Sequence, residues 1–403
     1  MPPHSITGQL ELPLPPVQRT ATPVNPPPAG TFYEFFAGAG MVRAGLGRNW
    51  TSLFVNDFSR QKASSYRCNW HWEPVCQDIR DVTPEQLPGS SDMAWASFPC
   101  QDLSLAGRGD GLDGDRSGTF WPFWNLMLKL KEQDRAPTMV VLENVCGALT
   151  SHNGRDFISI CDAMYEGGYR FGAVVVDAAM FLPQSRPRLF VIGVCRQAQV
   201  PRMLAGAGQR SIFHTGSLVK AFRRLPESLR QEWIWWKLPV PPGRSAQLAD
   251  LIEEAPTSVS WHHPDETAKL LNLMNERHQA KVKEMRRLER RVVGTVYRRT
   301  RTDSNGAKAL RAEVRFDGVA GCLRTPTGGS SRQLVLEVEG ARTRSRLMSS
   351  RETARLMGLP DSYVLPENYN EAYHLTGDGV AVPVVRFLAE EILEPVLALN
   401  QSG

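Results

Sequence analysis

The sequence predicts an α/β protein with a doubly wound, mostly parallel sheet, interrupted by a second, smaller domain. Two observations lead to this prediction. Short apolar segments alternate with helical segments over residues 31–195, as in a series of βαβ units. This alternation is lost over residues 196–342 and returns in residues 343–403. The last helices should therefore fold back onto the first domain and complete it.

The alternating segments of the predicted first domain can be assigned in order. The predicted strands are Thr31–Phe36, Thr51–Asn56, Met93–Phe98, Thr138–Glu143, Gly172–Asp177 and Leu189–Val194. The predicted helices are Met41–Leu46, Arg60–Cys68, Phe120–Lys131 and Asp156–Glu166, followed later by Ser350–Gly358 and, after a turn at 377–379, Val380–Leu393. Right-handed crossovers would place the carboxyl end of every strand at one edge of the sheet. Functional loops are expected at that edge.

The composition is that of a soluble globular protein long enough for two domains. Of 403 residues, 42% are hydrophobic and 22% are charged, which are ordinary values. No apolar run reaches about 18 residues, so no membrane span is expected. The first residues lack the basic and apolar pattern of a secretion signal. Residues 1–30 are rich in proline and are predicted to form a disordered arm.

Cysteine usage and net charge bear on the kind of site, the compartment and the binding partner of the protein. The seven cysteines are scattered and include no Cys-x-x-Cys pair, so neither a zinc site nor a disulfide framework is expected. This usage fits a reducing compartment and predicts a cytoplasmic location. The net charge of +5 is modest and does not by itself identify a nucleic-acid binder.

Two glycines stand where the first predicted strand meets the first helix, in the segment EFFAGAG at 34–40. Glycine permits close backbone approach there, and a helix N-terminus favours a polar ligand. Asp57 and Asp78 follow the next strand ends, where carboxylates suit a ribose and an adenine amino group. A tight turn and two capping acids would give the same pattern. The combination favours an adenosine-containing cofactor, without separating a nicotinamide from S-adenosylmethionine.

A thiol follows the third predicted strand. Pro99 ends the strand and fixes the backbone before Cys100. A lone cysteine is more often a buried apolar residue than a nucleophile. The segment that follows, 102–118, contains five glycines together with Arg108 and Arg116, as suits a loop that closes over a phosphate backbone. This context favours Cys100 as a nucleophile over a buried thiol.

Three further charged side chains flank neighbouring strands. Glu143 ends the strand after Cys100 and could hydrogen-bond the amidine edge of a base, although a helix-capping role is the alternative. Arg186 and Arg188 precede the strand Leu189–Val194 and point the same way, because alternate residues share a face. They could be solvated surface charge, but two arginines at a strand edge are costly unless paired.

Six short motifs together resemble one known family. They are FAGAG at 36–40, PCQ at 99–101, ENV at 143–145, QxRxR at 184–188, RExARL at 351–356 and GDGV at 377–380. They occur in the order found in cytosine-C5 DNA methyltransferases of the bacterial restriction-modification type. Each motif alone is weak, whereas six in order are specific. The resemblance covers roughly residues 31–194 and 346–393. It implies the Rossmann-like fold of class I S-adenosylmethionine methyltransferases.

The resemblance also implies a mechanism. The Cys100 thiolate would attack C6 of a cytosine flipped out of the duplex, which makes C5 nucleophilic toward the methyl group. Glu143 would hold N3 and the amino group of the base. Arg188, with Arg186 behind it, would position the base and the carboxylate. Loss of the C5 proton would then expel the cysteine. No metal is expected.

Further binding residues are implied by the same resemblance. For S-adenosylmethionine they are Phe36, Ala37, Gly38, Ala39, Gly40, Asp57, Phe58, Asp78, Ile79, Pro99, Asp378, Gly379 and Val380. For DNA they are Gln101, Ser104, Arg108, Arg116, Gln184, Arg298, Arg299, Arg301 and Arg332. The chain departs from the family pattern at Met41, where another glycine is common. It departs again at Asp378, which replaces the usual asparagine and lacks its amide donor.

Residues 196–342 correspond to the target-recognition domain that the resemblance implies, and the flanking domains are predicted at 31–195 and 343–403. Twelve lysines and arginines lie between residues 277 and 311, which supports phosphate contact. For the part 277–291, a solvated helix face is the alternative. The bases that are read cannot be derived from this segment.

Several alternatives stay open at this point. One branch of the same family modifies transfer RNA, although the large insert favours double-stranded DNA as the partner. A non-catalytic DNA-binding protein of this fold would have no need of Cys100 and Glu143. A dinucleotide oxidoreductase would leave Cys100 and the basic insert unexplained. A monomer is expected, and whether a cognate restriction endonuclease acts beside it is left open.

Overall fold

The computed structural model describes most of the chain. The described residues are 30–99, 118–209, 211–302, 306–325 and 332–401. The predicted N-terminal arm at 1–30 lies outside them except for Gly30, and so does nearly all of the glycine-rich segment 102–118.

Six strands form the central sheet. They are β1 (Gly30–Phe35), β2 (Trp50–Asn56), β3 (Met93–Ala96), β4 (Met139–Val145), β5 (Tyr169–Asp177) and β6 (Pro187–Cys195). Their order is β2-β1-β3-β4-β6-β5, and β6 alone runs antiparallel to its neighbours. The predicted mostly parallel sheet is confirmed. The expectation that every strand ends at the same edge is wrong for β6, because its reversed direction brings its first residues to that edge instead.

Helices cover both faces of this sheet. They are α1 (Met41–Leu46), α2 (Arg60–Trp70), α3 (Phe120–Glu132) and α4 (Arg155–Glu166). Coverage on both faces explains why β3 is a continuous apolar run, all of it buried. Met93 and Trp95 join the apolar cluster on one face, and Ala94 and Ala96 join the cluster on the other. Charged residues are therefore confined to the strand ends.

Short elements follow the sheet and pack against it. They are β7 (Ala205–Gly206), α5 (Gly216–Arg223), α6 (Glu227–Gln231), β8 (Trp235–Trp236) and α7 (Leu248–Leu251). Phe213, Trp236 and Leu248 belong to the same apolar cluster as Trp95 of the central sheet. The first part of the predicted recognition domain thus shares its core with the catalytic sheet.

A second sheet, with its own core, follows. Its elements are α8 (Pro264–Asn272), α9 (Glu276–Arg286), β9 (Val292–Thr302), β10 (Lys308–Arg315), β11 (Leu334–Glu339) and β12 (Arg342–Leu347). The four strands are antiparallel in the order β10-β9-β11-β12. One face packs on both helices, through Val296 and Leu336 against Leu270 and Val282. The predicted limit at residue 342 cuts into β12, whose pairing with β11 extends this sheet to Leu347.

The C-terminal helices return to the central sheet. They are α10 (Ser350–Leu356), α11 (Tyr369–Asp378), α12 (Val382–Leu388) and α13 (Glu394–Gln401), with a π-helical turn at Ala389–Leu393 between the last two. Val384, Leu388 and Ile392 belong to the cluster on one face of that sheet. The turn predicted at 377–379 is instead the end of α11. The helix predicted to begin at Val380 begins two residues later, at Val382. No described helix has the length and apolarity needed to cross a membrane.

The contact between α1 and α12 leaves no room for a side chain at Gly45. A Cβ atom there would lie 2.4 Å from Cβ of Val385 and 2.7 Å from the carbonyl oxygen of Val382. Gly45→Ala should therefore lower the free energy of unfolding by about 1–3 kcal/mol, as overpacking does. Urea denaturation followed by circular dichroism measures this.

Gly216, at the start of α5, is the matched control, because a Cβ atom there meets nothing within 4 Å. Gly216→Ala should leave the stability unchanged or raise it slightly, since alanine favours the helix. Equal effects of the two substitutions would contradict the packing argument.

Candidate active site

One edge of the central sheet gathers three strand ends and one strand start. Phe35 of β1 pairs with Ala96 of β3, and Ala96 pairs with Leu142 of β4. Val145, the last residue of β4, pairs with Arg188 at the beginning of β6. The antiparallel direction of β6 thus places Arg188 beside the end of β4.

The chain leaving β3 is anchored at this edge. The buried Asn144 side chain donates a hydrogen bond from Nδ2 to the carbonyl oxygen of Phe98, at 3.1 Å. This bond fixes the backbone two residues before Cys100. The predicted site residues that lie outside the described part of the chain are Cys100, Gln101, Ser104, Arg108 and Arg116. Their roles stay predictions.

Glu143 lies at the end of β4 and is 6% exposed. Nε of Arg188 is 3.2 Å from its Oε1 atom, and the Ser97 side chain hydrogen-bonds the same carboxyl group. Burial raises the pKa of Glu143, and the nearby charges of Arg188 and Arg186 offset part of that rise. The site therefore holds a carboxyl group that takes up a proton more readily than one in water.

Arg186 is buried behind this pair and ties distant segments together. Its guanidinium donates to the carbonyl oxygens of Leu323 at 2.9 Å, Gly377 at 2.8 Å and Gly379 at 2.6 Å. Burial, followed by the adjacent Arg188, lowers its pKa to about 10. These hydrogen bonds tie the chain just before β6 to the segments that hold Leu323 and Gly377–Gly379.

The predicted cofactor loop, residues 36–40, has the left-handed backbone conformation that glycine favours. Phe36, Gly38 and Gly40 all have positive φ angles, of 56°, 57° and 82°. The Asp57 carboxylate accepts hydrogen bonds from the backbone N–H of Gly38 and of Ser59, both at 2.8 Å. Asp57 therefore holds the loop in its left-handed conformation, in addition to any contact with a ribose.

Two aromatic side chains fix the loop from the other side. Trp70 donates from its indole Nε1 to the Ala39 carbonyl oxygen at 3.1 Å, and the Tyr363 hydroxyl donates to the same oxygen at 2.6 Å. A Cβ atom at Gly40 would lie 2.2 Å from Trp70 Nε1, so glycine is required there. Tyr363 belongs to the C-terminal segment, which therefore completes the loop.

The other predicted cofactor residues differ in accessibility. Phe58 is 69% exposed beside the loop, and Pro99 is exposed. Asp78 is bound by Arg80, through the backbone N–H at 2.9 Å and Nη2 at 2.8 Å, and this hydrogen bonding lowers its pKa. The buried residues of the predicted cofactor set are Ala37, Ala39, Gly40, Asp57, Ile79 and Val380.

The two departures from the family pattern are explained by local contacts. The Asp378 carboxylate forms an ion pair with Nζ of Lys62 at 2.7 Å and accepts a hydrogen bond from the Thr325 hydroxyl. A neighbouring cation thus compensates for the charge that replaces asparagine. A Cβ atom at residue 379 would lie only 2.3 Å from the Met41 sulfur, so the Met41 side chain fills the space beside Gly379. Met41 and Gly379 are therefore complementary in size.

These residues fit an adenosine-containing cofactor. A Cβ atom built at Gly38 meets nothing within 4 Å, so the loop faces open space that a ligand can enter. Asp57, Asp78 and the exposed ring of Phe58 border the same strand ends. Among the described residues, no group of three or more His, Cys, Asp or Glu side chains is placed to hold a metal ion.

The residues predicted to contact DNA divide into different environments. Gln184 is fully buried; it donates to the Leu356 carbonyl at 2.6 Å and accepts from the Leu323 backbone N–H at 3.2 Å. Both ends of its amide therefore serve the core in this structure, and its contact with DNA stays a prediction. Arg332 is packed over the Tyr369 ring, with its guanidinium 5.5 Å from the centroid.

Arg298 differs from its neighbours Arg299 and Arg301. Arg298 pairs with Ala312 and lies on the face of the second sheet that carries the apolar core. Its buried Nε atom has no hydrogen-bond partner within the described part of the chain. Arg299 and Arg301 lie on the opposite face, because side chains alternate along a strand. Of the three arginines, Arg299 and Arg301 share one face of the sheet and Arg298 lies on the other.

Some contributing residues were not identified from the sequence. Ser97 and Asn144 support the catalytic edge, while Lys62 and Tyr363 hold the cofactor side. Asn144 could have been found, since it belongs to the motif ENV. Lys62 could not, because its partner Asp378 lies 316 residues away along the chain.

A family model described as C-5 cytosine-specific DNA methylase matches residues 30–394. The chain is 25% identical to Type II methyltransferase M.HpaII of Haemophilus parainfluenzae, over 90% of this chain and 89% of that protein. It is 24% identical to Type II methyltransferase M.NlaX of Neisseria lactamica, over 91% of this chain and 97% of that protein.

Two solved structures have the same fold. The Dnmt2 methyltransferase of S. pombe superposes with a TM-score of 0.55 at 17% identity, covering 91% of this chain and 99% of that one. The Entamoeba histolytica methyltransferase EhMeth gives a TM-score of 0.58 at 13% identity, covering 90% and 97%. At these identities the likeness confirms the predicted fold and carries nothing about substrate.

Glu34, in β1 below the loop, is a buried carboxyl group with an incomplete set of partners. It is 0% exposed; the Tyr66 hydroxyl donates to Oε2 at 3.3 Å, and Oε1 has no hydrogen-bond partner in the described structure. Burial raises its pKa to about 8. At pH 7 the folded protein therefore holds Glu34 mostly protonated, whereas the unfolded chain does not.

This difference predicts a pH dependence of stability. Between its ordinary pKa of 4.5 and its raised pKa of about 8, Glu34 holds its proton more fully in the folded protein than in the unfolded chain. Its contribution to stability is therefore lost as the pH rises through the raised pKa. The loss is at most about 5 kcal/mol, at 1.36 kcal/mol per pH unit. Glu34→Gln should flatten this slope, as measured by urea denaturation across the pH range. An unchanged slope would mean that Glu34 ionises normally.

Proposed function

Because the chain belongs to the family of C-5 cytosine-specific DNA methylases, we propose that it methylates carbon 5 of a specific cytosine in double-stranded DNA. The observation that carries the proposal is the ion pair between buried Glu143 and partly buried Arg188, at the edge where β3 leads to Cys100. A buried carboxyl group beside a guanidinium suits recognition of the amidine edge of a base.

S-adenosylmethionine, the cofactor that the family uses, supplies an electrophilic methyl group and leaves as S-adenosylhomocysteine. The residues proposed to hold it border the loop of residues 36–40. Phe36 and the glycines approach its methionine end, Asp57 accepts from the ribose, and Asp78 exchanges part of its bonding with Arg80 for the adenine amino group. Phe58 offers an exposed ring for stacking on the purine.

The proposed chemistry begins with the thiolate of Cys100, which adds to C6 of the cytosine. A bond forms between sulfur and C6, and the electron pair of the C5–C6 double bond becomes available at C5 for the methyl group. Removal of the C5 proton by a base then returns an electron pair to the ring and breaks the sulfur–C6 bond. The thiolate is thereby regenerated and the product is 5-methylcytosine.

Glu143 makes this addition easier by binding the base while negative charge develops on it. Its carboxyl group, with the pKa raised by burial, can donate a proton to N3 and accept a hydrogen bond from the amino group. Arg188 and Ser97 hold that carboxyl group in place, so little reorganisation is needed when the base arrives. Arg186 in turn supports Arg188 through its fixed bonds to three carbonyl oxygens.

The C6 atom of a cytosine stacked inside a duplex is inaccessible to the Cys100 thiolate at this edge. The proposal therefore includes flipping of the target cytosine out of the duplex. The glycine-rich segment after Cys100 is proposed to close on the DNA during this step. Double-stranded DNA is the proposed partner. A monomeric state and a cytoplasmic, nucleoid-associated location stay predictions, and whether a restriction endonuclease acts beside the enzyme stays open.

The methyl-transfer test uses the full-length chain and duplex DNA. Transfer of labelled methyl from S-adenosylmethionine to duplex DNA is expected for the wild type, and Cys100→Ser should abolish it because a hydroxyl is a far weaker nucleophile. Glu143→Gln should lower the rate by about 10²–10⁴-fold, the usual contribution of an acid–base group. Labelling of transfer RNA without labelling of any duplex would overturn the proposed substrate.

The covalent step has a separate readout. A duplex in which the target carries 5-fluorocytosine should form a denaturation-resistant adduct with the wild type, because the fluorine cannot leave as a proton does. Cys100→Ser should form none, and Cys195→Ser, which changes a thiol at the opposite end of β6 from Arg188, is the matched control. A stable adduct with Cys100→Ser would contradict the assigned nucleophile.

A further inference from the structure

The β9–β10 hairpin has two chemically different faces. Val296 and Val314 lie on one face, within the core of the second sheet. The residues alternating with them form the opposite face, because successive side chains of a strand point to opposite sides. We call this the cleft face; it consists of Thr295, Tyr297, Arg299 and Arg301 in β9 and of Ala309, Arg311, Glu313 and Arg315 in β10.

The cleft face continues into the catalytic edge. Val293 and Val335, which share this side of the second sheet, belong to the apolar cluster of the central sheet. Arg315 interacts electrostatically with Asp177, at the end of β5. The stretch from Thr295 to Arg301 extends outward from there by roughly 20 Å, at about 3.3 Å per residue. DNA bound at the catalytic edge would therefore meet this face.

The cleft face carries an excess of positive charge. Arg299 stands directly opposite Arg311 in the strand pairing, and Arg301 follows two residues later. Like charges in opposed positions destabilise a sheet. Glu313 is the only acidic residue of the two strands, so it cannot neutralise all three arginines. A polyanion at the cleft face would offset the excess positive charge.

Glu313 holds the arginine at the outer end of this face in a fixed orientation. Its Oε1 accepts from Nε of Arg301 at 2.7 Å and from Nη2 at 2.6 Å. Its Oε2 accepts from the Tyr297 hydroxyl at 2.6 Å and lies 3.6 Å from Nε of Arg299. One edge of the Arg301 guanidinium is thus engaged. Its remaining N–H groups have no partner among the described residues, and its side chain is 52% exposed.

We propose that Arg301, oriented by Glu313, hydrogen-bonds a guanine in the major groove of the target site, and that Glu313 is the positioning residue for this contact. A two-stranded ribbon fits the major groove, and guanine presents N7 and O6 as the two acceptors that an arginine end matches. Phosphate contact requires no such fixed orientation, since it carries no sequence information. The inference rests on the proposed function, because it assigns sequence reading within the same reaction.

The test measures which bases the protein prefers around the methylated cytosine, and not only how fast it methylates. A library of duplexes randomised around a cytosine is methylated by the full-length protein, and bisulfite sequencing recovers the flanking bases of methylated molecules. The variants are Arg301→Ala and Glu313→Gln. The control is Lys308→Ala, which removes a cation of the same hairpin from the opposite face. Circular dichroism establishes that each variant is folded.

The wild type should show guanine at a defined position, and both variants should lose about tenfold or more of that preference at that position alone. Lys308→Ala should keep the full preference. A uniform loss of rate with unchanged preference, or total inactivity of folded Arg301→Ala, would overturn the inference in favour of phosphate contact. Unchanged preference in Glu313→Gln would remove its positioning role. Absence of methylation by the wild type would instead refute the proposed function.

Discussion

The antiparallel pairing of β6 with β4 is the constraint on which the site depends. In a fully parallel sheet, Arg188 would lie at the opposite edge from Glu143. The reversal brings Arg188 next to Val145 and within 3.2 Å of the buried carboxyl group. A carboxyl and a guanidinium can be buried together at modest cost only when each satisfies the other. The same reversal leaves Arg186 facing the core, where backbone carbonyl groups bind it.

The two sides of the site are held by different kinds of contact. On the cofactor side, aromatic donors and Asp57 fix backbone atoms of residues 36–40 in a left-handed conformation that glycine adopts easily. On the base side, charged side chains are oriented by other charged or polar groups in a nearly dry setting, where electrostatic interactions are strong. The first arrangement shapes an open surface, and the second prepares a carboxyl group for binding a base.

The sequence was sufficient for the central sheet, because apolar strands buried on both faces are easy to recognise. The sequence motifs also predicted that residues 36–40 form a glycine loop after β1 and that Glu143 lies near the end of its strand. The sequence failed at β6, since periodicity carries no information about strand direction. It did not indicate that both ends of the Gln184 amide serve the core, because a motif residue can serve the core as readily as the surface. Lys62 and Glu313 were missed because their roles depend on partners that only folding brings together.

Arg186 has a consequence for how the protein is made. Its guanidinium depends on carbonyl groups that lie 137, 191 and 193 residues further along the chain. Until these have been synthesised, a buried charge beside the site lacks its partners, and such a group strongly disfavours the folded arrangement. Contacts this distant in sequence also form late in folding. A nascent chain on the ribosome therefore cannot assemble a working site before the segment that holds Gly377 and Gly379 has emerged.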